Sequence, residues 1–325
     1  MPNAPLAAAA AAGHNHPAMI VSASYRTDIP AFYGEWFLNR FRAGFARVVN
    51  PYGGPPSTVP LRAGIDGFVF WTRNVGPFLP VLAEVRRAGL PFVAQYTLTG
   101  YPRALETSVI EAARSVALVR RLAAEHGPRS VVWRYDPIVW SDLTPARFHR
   151  DAFARLADAL AGSVDEVVTS FANIYRKTAR NLAAAARAHR FTWSDPPAEI
   201  KRALAAELAG LAAERGLRLT ICSQEDYTVP GATAAACVDA GRLEDVARGW
   251  GVPRAVKARV KGNRPGCLCW ESRDIGAYDT CPHGCTYCYA VNSRTVAKRR
   301  HAEHDPMGEF LVAPPGERVE QARLI

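Results

Sequence analysis

The chain has 325 residues, of which 49% are hydrophobic and 22% are charged, and its formal net charge at pH 7 is +10. This balance is typical of a folded soluble protein, and it excludes intrinsic disorder, a collagen-like chain and a membrane bundle. The basic excess permits an anionic partner such as nucleic acid. We do not favour nucleic acid, because the arginines are scattered along the chain as on a solvated surface.

Residues 1–17 form an Ala-rich segment that we expect to be a disordered tail. No Lys or Arg precedes the Ala run and no transmembrane-length segment follows, so we expect neither an export signal nor a membrane partner. All seven cysteines lie beyond residue 221. A secreted protein held by disulfides would distribute its cysteines more widely, so we expect a cytoplasmic protein whose clustered thiols bind metal.

From residue 18 onward, short apolar runs alternate with longer amphipathic segments. The runs are rich in β-branched and aromatic residues and predict strands at 18–24, 45–49, 67–71, 91–97, 130–135, 165–171 and 217–222. The longer segments carry apolar residues at spacings of three and four and predict helices at 105–126, 146–161, 175–190 and 197–215.

Strands that are apolar on both faces and alternate with helices predict an α/β fold built from parallel βα units. Their number favours a TIM-like barrel over residues 18–250, either incomplete or circularly permuted. A doubly wound open sheet is the alternative; its dinucleotide-binding form is disfavoured, since no Gly-rich loop follows the first strand. Residues 251–325 are predicted to be a cysteine-rich iron–sulfur segment with a C-terminal tail that packs on the barrel.

Polar side chains follow the predicted strands and would meet at the carboxyl face of a parallel barrel. The charged or amide residues among them are Arg26, Asp28, Arg73, Gln95, Arg134 and Asp136. Ser24, Thr72 and Ser170 are equally well explained as helix caps. Charged residues two positions apart at the end of a buried run are expected to be paired or functional.

The strongest motif is CPHGCTYC, in which Cys281, Cys285 and Cys288 have a CxxxCxxC spacing. Three such thiolates can hold a four-iron four-sulfur cluster and leave one iron open to a cofactor, and Gly284 lets the backbone approach the sulfides. Zinc is the alternative, with His283 or a distant cysteine as fourth ligand. The cluster is favoured because zinc knuckles have a two-residue spacing in each half. We expect His283 to donate to a sulfide rather than to bind metal.

The other four cysteines suggest a second set. Cys267 and Cys269 form a CxC pair, Cys222 ends the last predicted strand, and Cys237 lies between them in sequence. A fold that returns the C-terminal segment to the strand ends would join all four as a second iron–sulfur cluster or a zinc site. Alternatively, Cys222 and Cys237 are simply small buried hydrophobic residues.

CxxxCxxC with an aromatic residue before the third cysteine resembles the signature of the radical S-adenosylmethionine superfamily. The whole chain resembles the domain of unknown function 1848 family. The matching stretches are SASYRTDIPAFYGEWFLNR, VFWTRN, QYTLTGY, VVWRYDPIVW and CLCWESRDIGAYDTCPHGCTYCYA. One departure from the superfamily is that the motif follows the last βα unit instead of the first strand, which a circular permutation of the barrel would reconcile.

The resemblance implies that Cys281, Cys285 and Cys288 hold the cluster and that Tyr287 lies near the adenine of S-adenosylmethionine. It further implies reductive cleavage of that cofactor to a 5′-deoxyadenosyl radical, which acts on an unknown substrate and needs a reductant such as flavodoxin or ferredoxin. On this interpretation Arg26, Arg73 and Arg134 contact the cofactor carboxylate or an anionic substrate. Asp28 or Asp136 would contact the ribose or the methionyl amine.

Two other classes of function remain open from the sequence. A non-catalytic iron–sulfur electron carrier or redox sensor would need a fully ligated cluster and no charged cavity. A zinc-stabilised nucleic-acid-binding protein would agree with the net charge but not with the cysteine spacing.

Overall fold

The structure is a computed structural model that describes residues 19–315. The tail predicted over residues 1–17 lies outside the described residues, as does the end of the C-terminal tail. In the part of the chain that is described, no helix is both long enough and apolar enough to span a membrane.

Strands and helices alternate through most of the chain. The strands are β1 (Met19–Ala23), β2 (Phe45–Val48), β3 (Ser57–Pro60), β4 (Ile65–Thr72), β5 (Phe92–Thr97), β6 (Val131–Ile138), β7 (Trp140–Ser141), β8 (Glu166–Phe171), β9 (Trp193–Ser194), β10 (Arg218–Ile221), β11 (Ala232–Ala234) and β12 (Ser272–Asp274). The helices are α1 (Ile29–Phe32), α2 (Gly34–Ala43), α3 (Leu79–Arg87), α4 (Ala112–His126), α5 (Ala146–Leu160), α6 (Arg176–His189), α7 (Ala198–Ala213), α8 (Ala240–Gly249) and α9 (Arg294–Ala302).

Eight of these strands form one sheet in the order β11-β10-β8-β6-β5-β4-β1-β12. Every neighbouring pair in the sheet is parallel, which confirms the predicted α/β fold with a parallel sheet. Within residues 19–315, the edge strands β11 and β12 are not paired with each other, so closure into a barrel stays a prediction. Beyond the strands, a backbone hydrogen bond crosses this seam from the Trp270 N–H to the Val238 carbonyl (2.9 Å).

The two faces of the sheet pack into separate apolar clusters, because successive side chains of a strand point to opposite faces. One face packs against the helices through large aromatic residues such as Phe68, Phe70 and Phe92. The other face carries smaller residues from the central strands: Ile20, Val69, Val93, Val132 and Val168. This second face packs against the segment after β11 and against the residues just before β12. We call it the inner face.

The prediction of 45–49 as a strand of the main sheet was wrong. These residues form β2, which pairs antiparallel with β3 in a separate two-stranded sheet. The burial of β2 alternates along the strand, whereas the main-sheet strands β4 and β8 are buried almost throughout. One-sided burial is typical of an antiparallel pair at the surface, and parallel strands covered on both faces do not show it.

The C-terminal segment contributes to the main sheet through β12 and then wraps back over the N-terminal helices. Between α8 and β12, residues 259–271 form a hairpin that is closed by hydrogen bonds from the Lys261 N–H to the Cys269 carbonyl (2.9 Å) and from the Glu271 N–H to the Arg259 carbonyl (2.8 Å). Beyond α9, the carbonyl of Gly308 accepts a hydrogen bond from the Trp36 indole (2.9 Å). The last part of the described chain therefore packs directly on α2.

Candidate functional site

The loop with Cys281, Cys285 and Cys288 lies over the chain segments that follow β1, β4 and β5. We call residues 280–290 the cysteine loop. Its first residue, Thr280, accepts a hydrogen bond from the Tyr33 hydroxyl (2.7 Å) through its carbonyl. Further along, the Ser108 N–H donates to the His283 carbonyl (2.9 Å), and the Thr286 N–H donates to the Leu105 carbonyl (3.0 Å). Main-chain contacts therefore hold the loop at the carboxyl ends of the strands.

The three sulfurs of the cysteine loop lie within electrostatic reach of one another. Burial raises the pKa of Cys281 well above its usual value, and the charges on Asp28, Cys288 and Cys285 raise it further. Burial also raises the pKa of Cys285 to about 12. The Ala290 N–H contacts the Cys288 sulfur (3.3 Å). These thiols would ionise at neutral pH only with a positive partner such as metal, because burial disfavours the charged form.

Gly284 is required by the shape of the loop. Its φ is +77°, which is a left-handed conformation that favours glycine. A Cβ at this position would stand 2.5 Å from Nε of Arg294, and this arginine donates to the Ser108 hydroxyl (2.6 Å). The turn between Cys281 and Cys285 is therefore packed closely against α9.

Asp28 joins three elements beneath the loop. Its Oδ1 accepts the Ala31 N–H (3.0 Å) and so caps α1, while its Oδ2 accepts the Arg73 N–H (2.8 Å). The same Oδ2 lies 2.8 Å from Nε2 of His283, in the middle of the cysteine motif. The other ring nitrogen of His283, Nδ1, is buried and has no hydrogen-bond partner. Asp28 therefore fixes the orientation of the imidazole through Nε2.

Arg73, Glu106 and Tyr287 form a second buried connection to the loop. Arg73 donates from Nη1 to Oε1 of Glu106 (2.7 Å) and from Nη2 to the Tyr287 hydroxyl (2.6 Å). The Tyr287 hydroxyl and the Thr99 hydroxyl (2.6 Å) both donate to the same Glu106 oxygen. The ring of Tyr287 packs edge-on against Tyr101, with its centroid 5.9 Å away. This network holds the aromatic residue of the motif inside the protein.

Sequence reasoning missed Glu106. The residue belongs to 105–111, which were predicted as the first turns of a helix, whereas α4 begins at Ala112. In the structure these residues form turns and irregular chain beside the cysteine loop, with an isolated bridge between Glu106 and Cys285. The apolar spacing of residues 105–126 predicted one continuous helix, because periodicity alone does not show at which residue a helix begins. Glu106 was therefore not recognised as a site residue.

Arg26 lies apart from both connections. Its guanidinium donates from Nε to Oδ1 of Asp274 (2.9 Å) and from Nη2 to the Asp274 carbonyl (3.1 Å). Asp274 also accepts from the hydroxyls of Ser22 (2.8 Å) and Ser24 (2.7 Å), so it ties β12 to β1. Asp274 was not predicted either, because it stands alone in a segment without a period.

The other four cysteines lie close together. We call Cys222, Cys237, Cys267 and Cys269 the thiol cluster. The sulfurs of Cys237 and Cys222 are 3.5 Å apart. Cys269 interacts electrostatically with both Cys237 and Cys267, so the four side chains lie near one another. All four belong to the apolar cluster on the inner face.

Hydrogen bonds shift the pKa values of the thiols in the cluster in different directions. Donation from the Cys269 thiol, together with the backbone N–H groups of Cys269 and Asn263 and the Ser223 hydroxyl, lowers the pKa of Cys267 to about 5. A contact with Cys267 and burial raise the pKa of Cys269 to about 11, although its contact with Cys237 opposes this shift. Cys267 is therefore the member of the thiol cluster whose pKa favours the thiolate at neutral pH.

Gln95, Arg134 and Asp136 surround the thiol cluster, not the cysteine loop. Arg134 donates from Nη1 to the Cys237 sulfur (3.1 Å) and to Oε1 of Gln95 (3.1 Å), and from Nη2 to Oδ2 of Asp136 (2.7 Å). Gln95 donates in turn to the Cys237 carbonyl (2.8 Å). The predicted single mouth is thus divided into two parts, each with its own cysteines and its own arginine.

Within residues 19–315, no group of three or more His, Cys, Asp and Glu side chains is arranged as a ready metal site. The donor set of the cysteine loop nevertheless fits an iron–sulfur cluster: three thiols, a glycine at the turn and a buried imidazole nitrogen without a partner. Cys281, Cys285 and Cys288 would hold the group.

The chain was compared with known proteins. No curated protein and no solved structure matches it. A family model described as "Domain of unknown function (DUF1848)" matches residues 20–290, which include every strand-end residue discussed above and all seven cysteines. The match covers most of the chain and agrees with the resemblance carried by the sequence motifs. The chain belongs to the DUF1848 family.

Proposed function

We propose that this protein is an iron–sulfur enzyme of the radical S-adenosylmethionine type that acts on an unknown substrate. The observation that carries the proposal is the position of the cysteine loop. The CxxxCxxC motif lies where βα loops build active sites, and its His283 and Tyr287 are bonded to Asp28, Arg73 and Glu106, which come from the chain after β1, β4 and β5.

The loop supplies three thiols, so a four-iron four-sulfur cluster held there keeps one iron that the loop does not bind. Held by Cys281, Cys285 and Cys288, such a group would supply the electron for reductive cleavage of S-adenosylmethionine, which would give methionine and a 5′-deoxyadenosyl radical able to take a hydrogen atom from the substrate. The electron comes from a reductant such as flavodoxin or ferredoxin.

The residues of the chain position the loop and hold protons near it. Asp28 contacts Nε2 of His283 and so fixes the imidazole, whose Nδ1 has no hydrogen-bond partner and would face the group held by the loop. Arg73 and Glu106 hold Tyr287, whose motif position the family resemblance places near the adenine. Because Arg26 and Arg134 are buried with protein partners, we assign them to positioning rather than to direct contact with an anionic ligand.

We also propose that the sheet is an incomplete barrel with its opening between β11 and β12. Two features support this finer description: the small apolar residues gathered on the inner face, and the hydrogen bond between Trp270 and Val238 across the seam. A permuted order of βα units would then put the cysteine loop beside β1, at the same end of the barrel as the superfamily's motif.

The test is anaerobic reconstitution of the full chain with iron and sulfide, followed by reduction and incubation with S-adenosylmethionine. We expect acid-labile sulfide to be bound together with iron, and 5′-deoxyadenosine to be released. The matched control is Cys281→Ala, which should lose both. A fully loaded cluster without 5′-deoxyadenosine would overturn the enzymatic proposal. Metal bound without sulfide at these cysteines would indicate zinc, with Nδ1 of His283 as the fourth ligand.

One observation favours a second candidate, the non-catalytic electron carrier or redox sensor. The charged strand-end residues are mostly bonded to one another, as in the Arg134–Asp136 and Arg73–Glu106 pairs, and so do not line an open charged cavity. The same experiment separates the two functions, because a carrier would take up and release electrons without consuming S-adenosylmethionine.

A further inference from the structure

The thiol cluster is not used by the proposed function. It lies on the inner face of the sheet, away from the cysteine loop, and its partners are Arg134 and Arg264 rather than Asp28, Arg73 and Glu106. Cys237 and Cys269 are 3% and 4% exposed, so this is a buried group of nucleophilic side chains. Thiols form only weak hydrogen bonds with one another, so their packing alone does not explain why four of them are grouped here.

The spacing of the sulfurs distinguishes between the groups that four thiols can hold. In a tetrahedral site with metal–sulfur bonds of about 2.3 Å, neighbouring sulfurs lie about 3.8 Å apart. The Cys237 and Cys222 sulfurs are 3.5 Å apart, close to this value. A cubic iron–sulfur cluster places inorganic sulfides and irons between its cysteines and therefore holds their sulfurs further apart. The short separation of the Cys237 and Cys222 sulfurs thus favours a single metal ion over a second cubic cluster.

The surroundings of the cluster are suited to a negatively charged centre. Four thiolates around a divalent ion carry a net charge of about −2, which needs donors to the sulfurs. Arg134 donates to the Cys237 sulfur (3.1 Å), Arg264 lies 3.7 Å from the Cys222 sulfur, and the Val238 N–H donates to the Cys269 sulfur (3.4 Å). Two guanidinium groups and a backbone amide therefore surround the cluster with positive partial charge.

The four cysteines also lie at a structurally meaningful place. Cys222 follows β10 and Cys237 follows β11, whereas Cys267 and Cys269 come from the hairpin that precedes β12. These are the two sides of the open seam in the sheet. The hairpin is tight at Gly262, where a Cβ would stand 2.1 Å from the Cys267 carbonyl oxygen. This turn positions Cys267 and Cys269 beside the seam.

We propose that Cys222, Cys237, Cys267 and Cys269 bind one tetrahedral metal ion, zinc or iron, in a closed site that joins the two edges of the sheet. No inorganic sulfide and no open coordination position belong to this site. Its role is structural: the ion replaces the missing pairing between β11 and β12. It is independent of the cluster proposed at the cysteine loop.

The experiment measures metal and acid-labile sulfide in the purified full chain and in two variants. In the triple variant C281A/C285A/C288A, which lacks the loop thiols, we expect one zinc or iron ion per chain without sulfide, and elemental analysis identifies which. In the double variant C267S/C269S we expect that ion to be lost while iron and sulfide can still be reconstituted at the cysteine loop. The two sites are therefore scored separately, and failure of one leaves the other standing.

Three results would overturn the proposal: sulfide retained with the metal of the triple variant, no stoichiometric metal in that variant, or a disulfide between Cys222 and Cys237 found by mass spectrometry.

A measurement on the unmodified chain does not depend on the folding of variants. Alkylation of the four thiols should be slow in the metal-loaded protein and should become faster after a chelator removes the ion; equal rates before and after would contradict the site.

Gly262→Ala keeps all four thiols and tests whether the hairpin positions Cys267 to bind the ion. We expect transfer of the ion to a chelator to become about tenfold faster, because the added Cβ displaces Cys267. Gly210→Ala on α7, where nothing lies within 4 Å of the new Cβ, is the matched control and should leave transfer unchanged. An unchanged rate in Gly262→Ala would show that Cys267 does not bind the ion.

Discussion

Glu106 is the carboxylate on which the buried network under the cysteine loop depends. A single oxygen, Oε1, accepts from Arg73, Thr99 and Tyr287, and the side chains of Glu106 and Arg73 are only 4% and 12% exposed. A buried ion pair adds little net stability compared with an apolar pair, yet removal of one partner leaves an uncompensated charge. Loss of the Glu106 carboxylate should therefore lower the stability of the protein and disturb the position of the cysteine loop.

Glu106→Gln is expected to lower the free energy of unfolding by about 3–5 kcal/mol, because Arg73 then keeps its charge without a counterion. Glu111→Gln is the matched control: Glu111 pairs with Arg103 at the surface, and the change should cost about 0–1 kcal/mol. Urea unfolding of both variants measures the difference. Equal effects would mean that the Arg73–Glu106 pair is not buried as described.

His149 supplies a pH dependence of stability. Burial lowers its pKa to about 4, although hydrogen bonds to the backbone of Val139 and Thr144 oppose the shift. The unfolded chain takes up a proton at His149 near a pH of about 6.5, but the folded chain does so only near the lowered pKa. Stability is therefore full above this window and falls as the pH decreases from about 6.5 to 4, by about 3 kcal/mol from this residue.

His149→Gln should reduce that loss. Between pH 7 and pH 5, we expect the stability of the variant to fall by about 2 kcal/mol less than that of the unmodified chain. His189→Gln, at the exposed end of α6, is the control and should keep the original pH dependence. If urea unfolding showed the same fall in all three proteins, the assignment to His149 would be wrong.

At the residue scale, the sequence could predict which side chains are chemically active. It could not predict which of them belong to the cysteine loop and which to the thiol cluster. The thiol cluster followed from counting cysteines, and Arg134 with Asp136 followed from their place at a strand end. Which cysteines each arginine would approach depends on the order of strands in the sheet, and local sequence does not encode that order. Glu106 and Asp274 were missed because single carboxylates in irregular segments leave no pattern.

At the scale of elements, the register of β4 against β5 depends on a glycine. A Cβ on Gly67 would stand 2.5 Å from the Pro91 carbonyl oxygen, which accepts the Phe68 N–H (3.0 Å). The new methyl group would meet backbone rather than the end of a flexible side chain. The sheet would therefore have to separate locally, or the hydrogen bond would be lost.

Gly67→Ala should destabilise the protein by about 1–3 kcal/mol, as overpacking of a well-packed core does. Gly210→Ala provides the opposite case, because this position lies in α7 with free space around it, and alanine there should stabilise the protein by about 0.5–1 kcal/mol. Thermal unfolding of the two variants is the measurement. Stabilisation by both would show that β4 and β5 are not so closely paired.

Long periodic elements were predictable, and short ones were not. The amphipathic patterns of α5, α6 and α7 located those helices to within about two residues, since each pattern repeats over several turns. β12 has three residues and owes its place to Asp274 and to pairing with β1 rather than to a pattern of its own. Tertiary contacts decide such elements, so they could be found only in the structure.

At the scale of the whole molecule, the parallel sheet carries two groups of thiols, one over the carboxyl ends of its strands and one at the seam between its edge strands. The cysteine loop covers the ends of β1, β4 and β5, and the thiol cluster lies at the seam beside β10, β11 and β12. The crowding of cysteines into the last third of the sequence follows from this arrangement, because the C-terminal segment returns along the sheet and visits both places. The cysteine-free part of the chain supplies most of the parallel sheet.

The central claim is that the cluster at Cys281, Cys285 and Cys288 has an iron open to S-adenosylmethionine. Electron paramagnetic resonance of the reduced, reconstituted chain tests it most directly, with and without the cofactor, in the C267S/C269S background so that the thiol cluster contributes nothing. A cofactor bound to the open iron should change the g values of the reduced cluster. A cluster signal that stays identical at saturating S-adenosylmethionine would contradict the claim.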